Sequence, residues 1–118
     1  MGFVKFDDFK IFKSVLTKVY ALTTSKFEEL EGLAATIITD KTGLPNPLDA
    51  GDAPAWIKKP AMDIISFFIV ENSSEAPIDE REYHRKLYTE AIKELIEHRV
   101  EGVRSNIQCV EIAEKYTL

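Results

Sequence analysis

The sequence has little of several residue types on which common protein chemistries depend. Cys109 is the only cysteine, so no disulfide bond can form within one chain, and a small apolar filler is its expected role. The five glycines match neither a dinucleotide-binding fingerprint nor a phosphate-binding loop, which argues against a nucleotide enzyme. The most apolar stretch, Ile64–Val70, is far shorter than the roughly twenty residues needed to cross a bilayer. No membrane segment, lipid anchor or export signal is therefore expected.

Histidine is scarce too, and the spacing of the two histidines argues against a metal site. His84 and His98 lie on one predicted helix, about 21 Å apart at 1.5 Å per residue, which is too far for a shared metal ion. Both are expected on the surface. Asp40, Asp49 and Asp52 flank a central loop, but the alternating ligands and closing glutamate of a calcium-binding loop are missing. We predict no cofactor, metal or catalytic centre.

Charge is distributed unevenly along the chain. The formal net charge is -5, and this acidic balance argues against binding in a nucleic-acid groove, which needs a basic face. Residues 1–26 carry a formal charge of +3, whereas residues 27–118 carry -8. Two interpretations stay open: the basic end and the acidic body meet in neighbouring copies, or both are solvated helix faces.

Hydrophobic spacing predicts an amphipathic first helix that begins at Asp7 or Asp8 and runs to about Tyr20. The predicted buried stripe consists of Phe9, Phe12, Leu16 and Val19, widened by Val15 and Tyr20. The opposite side carries lysines at positions 10, 13 and 18. A second helix is predicted from a capping box of Ser25 and Glu28 to a stop at Gly43.

Three of the five prolines fall in residues 44–54, which predicts a stiff central loop. Ten of the fifteen residues from Trp56 to Val70 are hydrophobic, so we expect a helix covered on most sides, kinked at Pro60 or beginning near Lys59. A buried strand over Ile64–Val70 is the alternative. Asp63 lies among these apolar residues and is expected to make a structural or interface hydrogen bond rather than act in catalysis.

A last long helix is predicted from Asp79, with Glu82 at capping-box spacing, to about Glu101, where Gly102 ends it. Residues 103–118 are predicted to form an extended tail or strand used by a partner. The predicted fold is therefore an all-α bundle of about four helices with a Pro-rich central loop. Residues 1–102 form the domain, and residues 103–118 form an interaction segment.

Short sequence patterns between Phe27 and Gly102 resemble a known family. A helix end and Leu-Pro loop match at Lys41, Gly43, Leu44, Pro45 and Leu48. A Pro entry and an Ala-x-Asp-Ile core match at Pro60, Ala61, Asp63 and Ile64. The start of the last helix matches at Lys86, Tyr88 and Ala91. In these patterns, which cover about two thirds of the chain, it resembles the Mu-type neck or head-tail connector family of small tailed-phage and prophage virion proteins.

This resemblance implies an all-α structural protein, made in the host cytoplasm and incorporated into the virion, without catalysis. It implies a cyclic homo-oligomer between the portal and the tail-side neck proteins, through which DNA passes without sequence-specific contact. The expected contact residues are Lys10, Lys13, Lys18, Leu44, Pro45, Pro47, Trp56, Asp63, Ile107 and Val110. A small helical regulatory or inhibitor module that binds a host or viral protein is the alternative function, and an enzyme is the third.

Overall fold

The computed structural model describes the backbone of residues 2–115 and the side chains of residues 2–99. Its α-helices are α1 (Phe6–Phe12), α2 (Ser14–Val19), α3 (Thr24–Thr42), α4 (Lys58–Glu71) and α5 (Ile78–Lys115). Two single-turn 3₁₀ helices, Ala50–Asp52 and Ala55–Ile57, follow the proline-rich part of the central loop. The described residues contain no strand, so the predicted all-α bundle is confirmed and the strand alternative for Ile64–Val70 is wrong.

The centre of the fold is α4, which α3 and α5 cover. Its buried residues form a nearly unbroken run on all sides of the helix: Pro60, Ala61, Met62, Asp63, Ile64, Ile65, Ser66, Ile69 and Val70. An all-round apolar helix is stable in water only when neighbours enclose it. Pro60 is the third residue of α4, within the first turn, where a helix tolerates a missing N–H. The predicted covered helix is thus present and begins at Lys58.

The predicted first helix is divided in two at Lys13, whose backbone leaves the helical region (φ -121, ψ 44). The Lys13 ammonium is bound by Asp63 of α4, and the Thr17 hydroxyl donates to the Lys13 carbonyl at 2.9 Å. These two bonds stabilise the interruption between α1 and α2. The helix also begins at Phe6, and Asp7 and Asp8 lie in its first turn rather than at the cap. In the first turn their carboxylates interact favourably with the positive, amino-terminal end of the helix dipole.

Thr23, not Ser25, caps α3, and its hydroxyl oxygen accepts the Lys26 N–H at 3.2 Å. Because Thr23, Thr24 and Ser25 share the same capping chemistry, residue spacing alone does not decide among them. At the other end, Gly43 adopts the left-handed conformation (φ 80) and donates its N–H to the Thr39 carbonyl at 2.9 Å, as predicted.

The last helix does not end at Gly102. Its backbone continues from Ile78 to Lys115, 38 residues in all, so the extended tail predicted from residue 103 is helical at least to that point. A single glycine costs a helix interior only about 1 kcal/mol relative to alanine, which neighbouring helix formers offset. Within the described part of the chain, no helix is both long enough and apolar enough to cross a membrane.

An extended amino-terminal segment packs onto α3 and the central loop. Phe3 and Val4 are buried, the Phe3 N–H donates to the Glu31 carboxylate at 2.7 Å, and the Gly2 N–H donates to the Pro47 carbonyl at 3.0 Å. Burial raises the pKa of Glu31, against the opposing effect of the Phe3 and Val4 N–H groups. A Cβ on Gly2, whose φ is +119, would collide with the Glu31 carboxylate. This position therefore requires glycine.

The end of α2 generates a prediction about stability. Ala21 has φ 47, and the Ala21 and Leu22 N–H groups donate to the Lys18 and Thr17 carbonyls, which is a Schellman motif with alanine where glycine is preferred. We expect Ala21→Gly to raise the free energy of unfolding by about 0.5–1 kcal/mol, because glycine relieves the left-handed strain. Urea unfolding measures the change.

The matched control is Gly43→Ala, which introduces alanine at a second left-handed position where nothing lies within 4 Å of the new Cβ. It should lower stability by a similar amount. Two changes of the same sign would contradict the assigned conformations.

Candidate interaction surface

One side of α1 and α2 exposes four large apolar residues. The exposed fractions are 72% for Ile11, 71% for Phe12, 73% for Val15 and 65% for Val19. Val15 and Val19 are four residues apart on α2, and Phe12 and Val15 line one shallow recess, so these side chains form a continuous patch. We call Ile11, Phe12, Val15 and Val19 the amino-terminal apolar face. Contiguous exposed apolar surface on a small protein marks a contact site more often than scattered single residues do.

The prediction that Phe12, Val15 and Val19 are buried is therefore wrong, whereas Phe9 and Leu16 of the same stripe are buried. Residues Phe9, Leu16 and Tyr20 face inward, and Phe9 and Phe6 pack on the Phe27 ring of α3 at 5.4 and 4.8 Å. The sequence does contain a signal that part of this stripe is exposed. At 100° per residue, apolar residues 9–20 cover about half of the helix circumference, wider than one packed face needs.

Lys10 and Lys18 lie exposed on these helices, as predicted for contact residues. The Lys10 ammonium lies 3.3 Å from the Asp7 carboxylate and 4.8 Å from the centre of the Phe6 ring. Asp7 is exposed, so this ion pair is weak and leaves the lysine accessible. The helices that carry the amino-terminal apolar face thus also carry two exposed lysines, and Glu80 lines the recess of Phe12 and Val15.

Lys13 and Asp63, both predicted as contact residues, contact each other within one chain. The Lys13 ammonium lies 3.2 Å from Asp63 Oδ1, and the Lys59 ammonium lies 2.9 Å from Asp63 Oδ2. The Asp63 side chain is only 6% exposed, compared with 25% for Lys13 and 77% for Lys59. The hydrogen bond and charge of Asp63 raise the pKa of Lys59. Asp63 is therefore a structural acid, which fits the hydrogen-bonding role expected for it.

Beside this ion pair is a surface recess of about 390 Å³. It is lined by Phe12, Lys13, Ala55, Lys58, Lys59, Met62 and Asp63. Phe12 thus connects the amino-terminal apolar face to the basic start of α4. The combined surface is apolar with a cationic rim, which suits an apolar partner carrying negative charge.

His84 is buried under the break between α1 and α2, so the prediction that it lies on the surface is wrong. It lines a recess with Phe12, Lys13, Val15, Glu80 and others, and among the described groups its Nδ1 has no hydrogen-bond partner. Burial lowers the pKa of His84; Glu80 and Asp63 oppose this effect and Lys13 adds to it. Residue spacing did contain a signal, because positions 84, 91 and 95 lie on one side of a helix and His84 therefore shares a face with the buried Ala91 and Leu95.

Three of the predicted contact residues lie on the central loop and differ in their exposure and contacts. Pro45 is exposed, Leu44 is half-buried against the core, and the Pro47 carbonyl accepts the Gly2 N–H. Leu48, which no prediction singled out as a contact, is 81% exposed. Loop and amino-terminal segment are also joined by an ion pair between Lys5 and Asp49 at 3.4 Å.

Trp56 is half-buried and packs against α5 of its own chain. Its ring stacks on His98 of α5, with centroids 3.6 Å apart and planes within 5° of parallel. His98 is therefore half-buried rather than on the open surface. Next to it, Arg99 donates to the Asp40 carbonyl of α3 at 2.8 Å. These contacts attach the central loop and α3 to the middle of α5.

Ile107 and Val110 lie on the helical backbone of α5, but their side chains, like that of Cys109, are outside the described residues. Their assignment as contact residues stays a prediction. Among the described side chains, no group of three or more His, Cys, Asp or Glu residues is arranged to hold a metal ion. Asp49 instead accepts the Gly51 N–H, which with Lys5 lowers the pKa of Asp49.

Comparison of the chain with protein-family models, curated proteins and solved structures gave no match. The case for function therefore depends on the surface itself and on the sequence resemblance.

The two lysines bound to Asp63 provide a matched test of the buried ion pair. We expect Lys13→Met to lower the free energy of unfolding by about 1–2 kcal/mol, because it removes a largely buried charged hydrogen bond. Lys59→Met keeps the alkyl stem in the same way but should cost less than about 1 kcal/mol, since that ammonium is solvated. Urea unfolding of both variants measures the difference, and equal losses would contradict the assignment of Lys13 as the main partner.

The buried His84 predicts a pH dependence of stability. Its pKa is lower in the folded than in the unfolded chain, so its stabilising contribution is complete above the unfolded value of about 6.5 and is lost as pH falls. The loss is at most about 1.4 kcal/mol per pH unit. We expect His84→Leu to be less sensitive than the wild type between about pH 7.5 and 5.5, as followed by urea unfolding. This variant retains His98, so an unchanged pH profile would show that His84 does not cause the dependence.

Proposed function

We propose that this protein is a non-enzymatic structural connector of a tailed phage or prophage, which forms a ring between portal and tail. The observation that carries the proposal is the amino-terminal apolar face, whose four large side chains are 65–73% exposed. A monomer gains nothing from exposing this surface, whereas a subunit of an assembly uses it as a contact.

The remaining geometry supports an assembly role over catalysis. Asp63, the acid in the most apolar helix, borders the recess that Phe12 lines, and there its two oxygens are bound to Lys13 and Lys59. The described surface recesses are shallow. Among the residues that line these recesses, no nucleophilic side chain is hydrogen-bonded to a base. The resemblance to the Mu-type neck family supports a location between portal and tail. A head-to-tail contact between copies gives a closed ring when the rotation between them closes.

The alternative is a small helical module that binds and regulates one host or viral protein. The size of the amino-terminal apolar face favours this option, because four side chains within nine residues match a single partner helix. Such a module would form a compact complex with one target and no ring.

Quantitative mass spectrometry of purified tailed particles from the source distinguishes these functions. A connector should be present in intact particles at a low copy number comparable with that of portal. Absence from intact particles, together with a stoichiometric complex with another protein in the producing cell, would refute the connector and support the regulatory module.

A further inference from the structure

The side chain of His84 is covered by a segment that belongs to other helices. His84 lies on α5 and is only 7% exposed, and the adjacent Tyr83 ring meets the imidazole edge to face, with centroids 5.2 Å apart. The recess that His84 lines is also lined by five consecutive residues at the break between α1 and α2: Phe12, Lys13, Ser14, Val15 and Leu16. We call residues 9–20, which contain this break, the cover of His84.

Charged groups from three elements act on the His84 imidazole. Glu80 lies one turn earlier on α5 and lines the same recess, Lys13 lines it from the break, and Asp63 acts from α4. Both oxygens of Asp63 are already bound by lysine ammonium groups. Burial and the neighbouring Glu80 carboxylate raise the pKa of Tyr20, so the end of the cover also lies beside Glu80. None of the described groups is hydrogen-bonded to the buried His84 Nδ1.

A proton on the imidazole is costly while the cover is closed. Protonation makes both ring nitrogens donors, but Nδ1 has no acceptor among the described groups and no contact with water. It also places a second cation beside Lys13, in a buried place that disfavours charge. Burial is the main reason why the pKa of His84 is lowered. Once the cover has separated, water reaches Nδ1 and Lys13 is no longer held nearby, so protonation favours the open form.

The cover is attached less firmly than the rest of the fold. Its two helices have seven and six residues, too short to be stable alone, and the left-handed Ala21 follows the second. Phe9 and Leu16 are their buried apolar residues, and Lys13 supplies the ion pair with α4. The three longer helices α3, α4 and α5 contact one another directly. Separation of the cover therefore costs less than global unfolding.

We propose that His84 is a pH-operated switch: a proton on its imidazole separates residues 9–20 from α4 and α5, while α3, α4 and α5 stay folded. Phe12 and Val15 belong both to the cover and to the amino-terminal apolar face, so acid also disrupts that face. A partner bound to the face keeps the cover closed, and by linkage it makes His84 harder to protonate. This inference does not depend on the connector function, because it applies to any partner of the face.

Hydrogen exchange with mass spectrometry, with labelling times scaled to the intrinsic rate at each pH, measures the opening in the full chain. Residues 9–20 should exchange at least about tenfold faster than α4, through an opening that low urea concentrations do not promote. From about pH 7.5 to 5.5 the opening constant of the cover should rise about three- to tenfold, because an open histidine with a pKa of about 6.5 takes up a proton that the closed one resists. Exchange in α4 requires global unfolding, which takes up the same proton, so it rises by the same factor but stays slower and increases steeply with urea.

Variants of the two histidines of α5 assign the effect. His84→Gln removes the titrating ring, so the rise between these pH values should disappear, and His84→Leu replaces it if His84→Gln does not fold. The matched control is His98→Gln, which removes the half-buried histidine that stacks on Trp56 and should leave the rise unchanged. An NMR titration of the assigned His84 ring signal in the wild type should give a pKa below the ordinary value of about 6.5.

Four results would overturn the proposal. Equal exchange rates and equal urea dependence for residues 9–20 and α4 would show that the cover opens only when the whole domain unfolds. A cover with the same opening constant at both pH values would show that His84 does not control it. A rise that persists without His84 would assign the effect to another group, such as Glu80. A His84 signal that titrates at or above about pH 6.5 would refute the switch without any variant.

Discussion

The covering of α4 is the constraint on which the rest of the fold depends. A helix that is apolar around its circumference gains stability only when every side is removed from water, at roughly 25 cal/mol per Å² of apolar surface. In this chain α3 and α5 cover most of those sides, and the Trp56–His98 stack and the Arg99–Asp40 bond attach the central loop and α3 to α5. The two amino-terminal helices then pack with one side only, through Phe9 and Leu16. Their other side, the amino-terminal apolar face, is exposed.

Polar groups inside this core occur where segments join. Asp63 binds Lys13 at the break between α1 and α2, and Glu31 binds the backbone of the amino-terminal segment. Thr42 bonds the Ile38 carbonyl and accepts the Leu44 N–H, which fixes the exit of the chain from α3. A buried polar group is stable only when it is hydrogen-bonded, so each of these residues requires one particular arrangement of neighbours. Two buried atoms, His84 Nδ1 and Thr39 Oγ1, have no partner among the described groups.

Features set by local chemistry were predictable from the sequence. The helix stop at Gly43 follows from one backbone conformation, and the helix type of α4 follows from its composition and length. Features that depend on distant residues were not predictable. Periodicity restricts but does not determine the burial of His84 and the exposure of Phe12, because both depend on where α5 lies against the first two helices. Gly102 illustrates the same limit, since it has the residue type of a helix stop but lies within a continuous helix.

The placement of the amino-terminal segment affects the order in which the chain folds during synthesis. Phe3 is held by Glu31, and Gly2 by Pro47, so these residues lack their partners until the whole of α3 and the proline-rich part of the loop have been made. The helices α4 and α5 are neighbours in sequence and meet by closing a short connection, which costs little chain entropy. The residues synthesised first therefore cannot complete their native contacts until Pro47 has been made. Until then the Phe3 and Val4 side chains are exposed to any binding partner that recognises unfolded apolar segments.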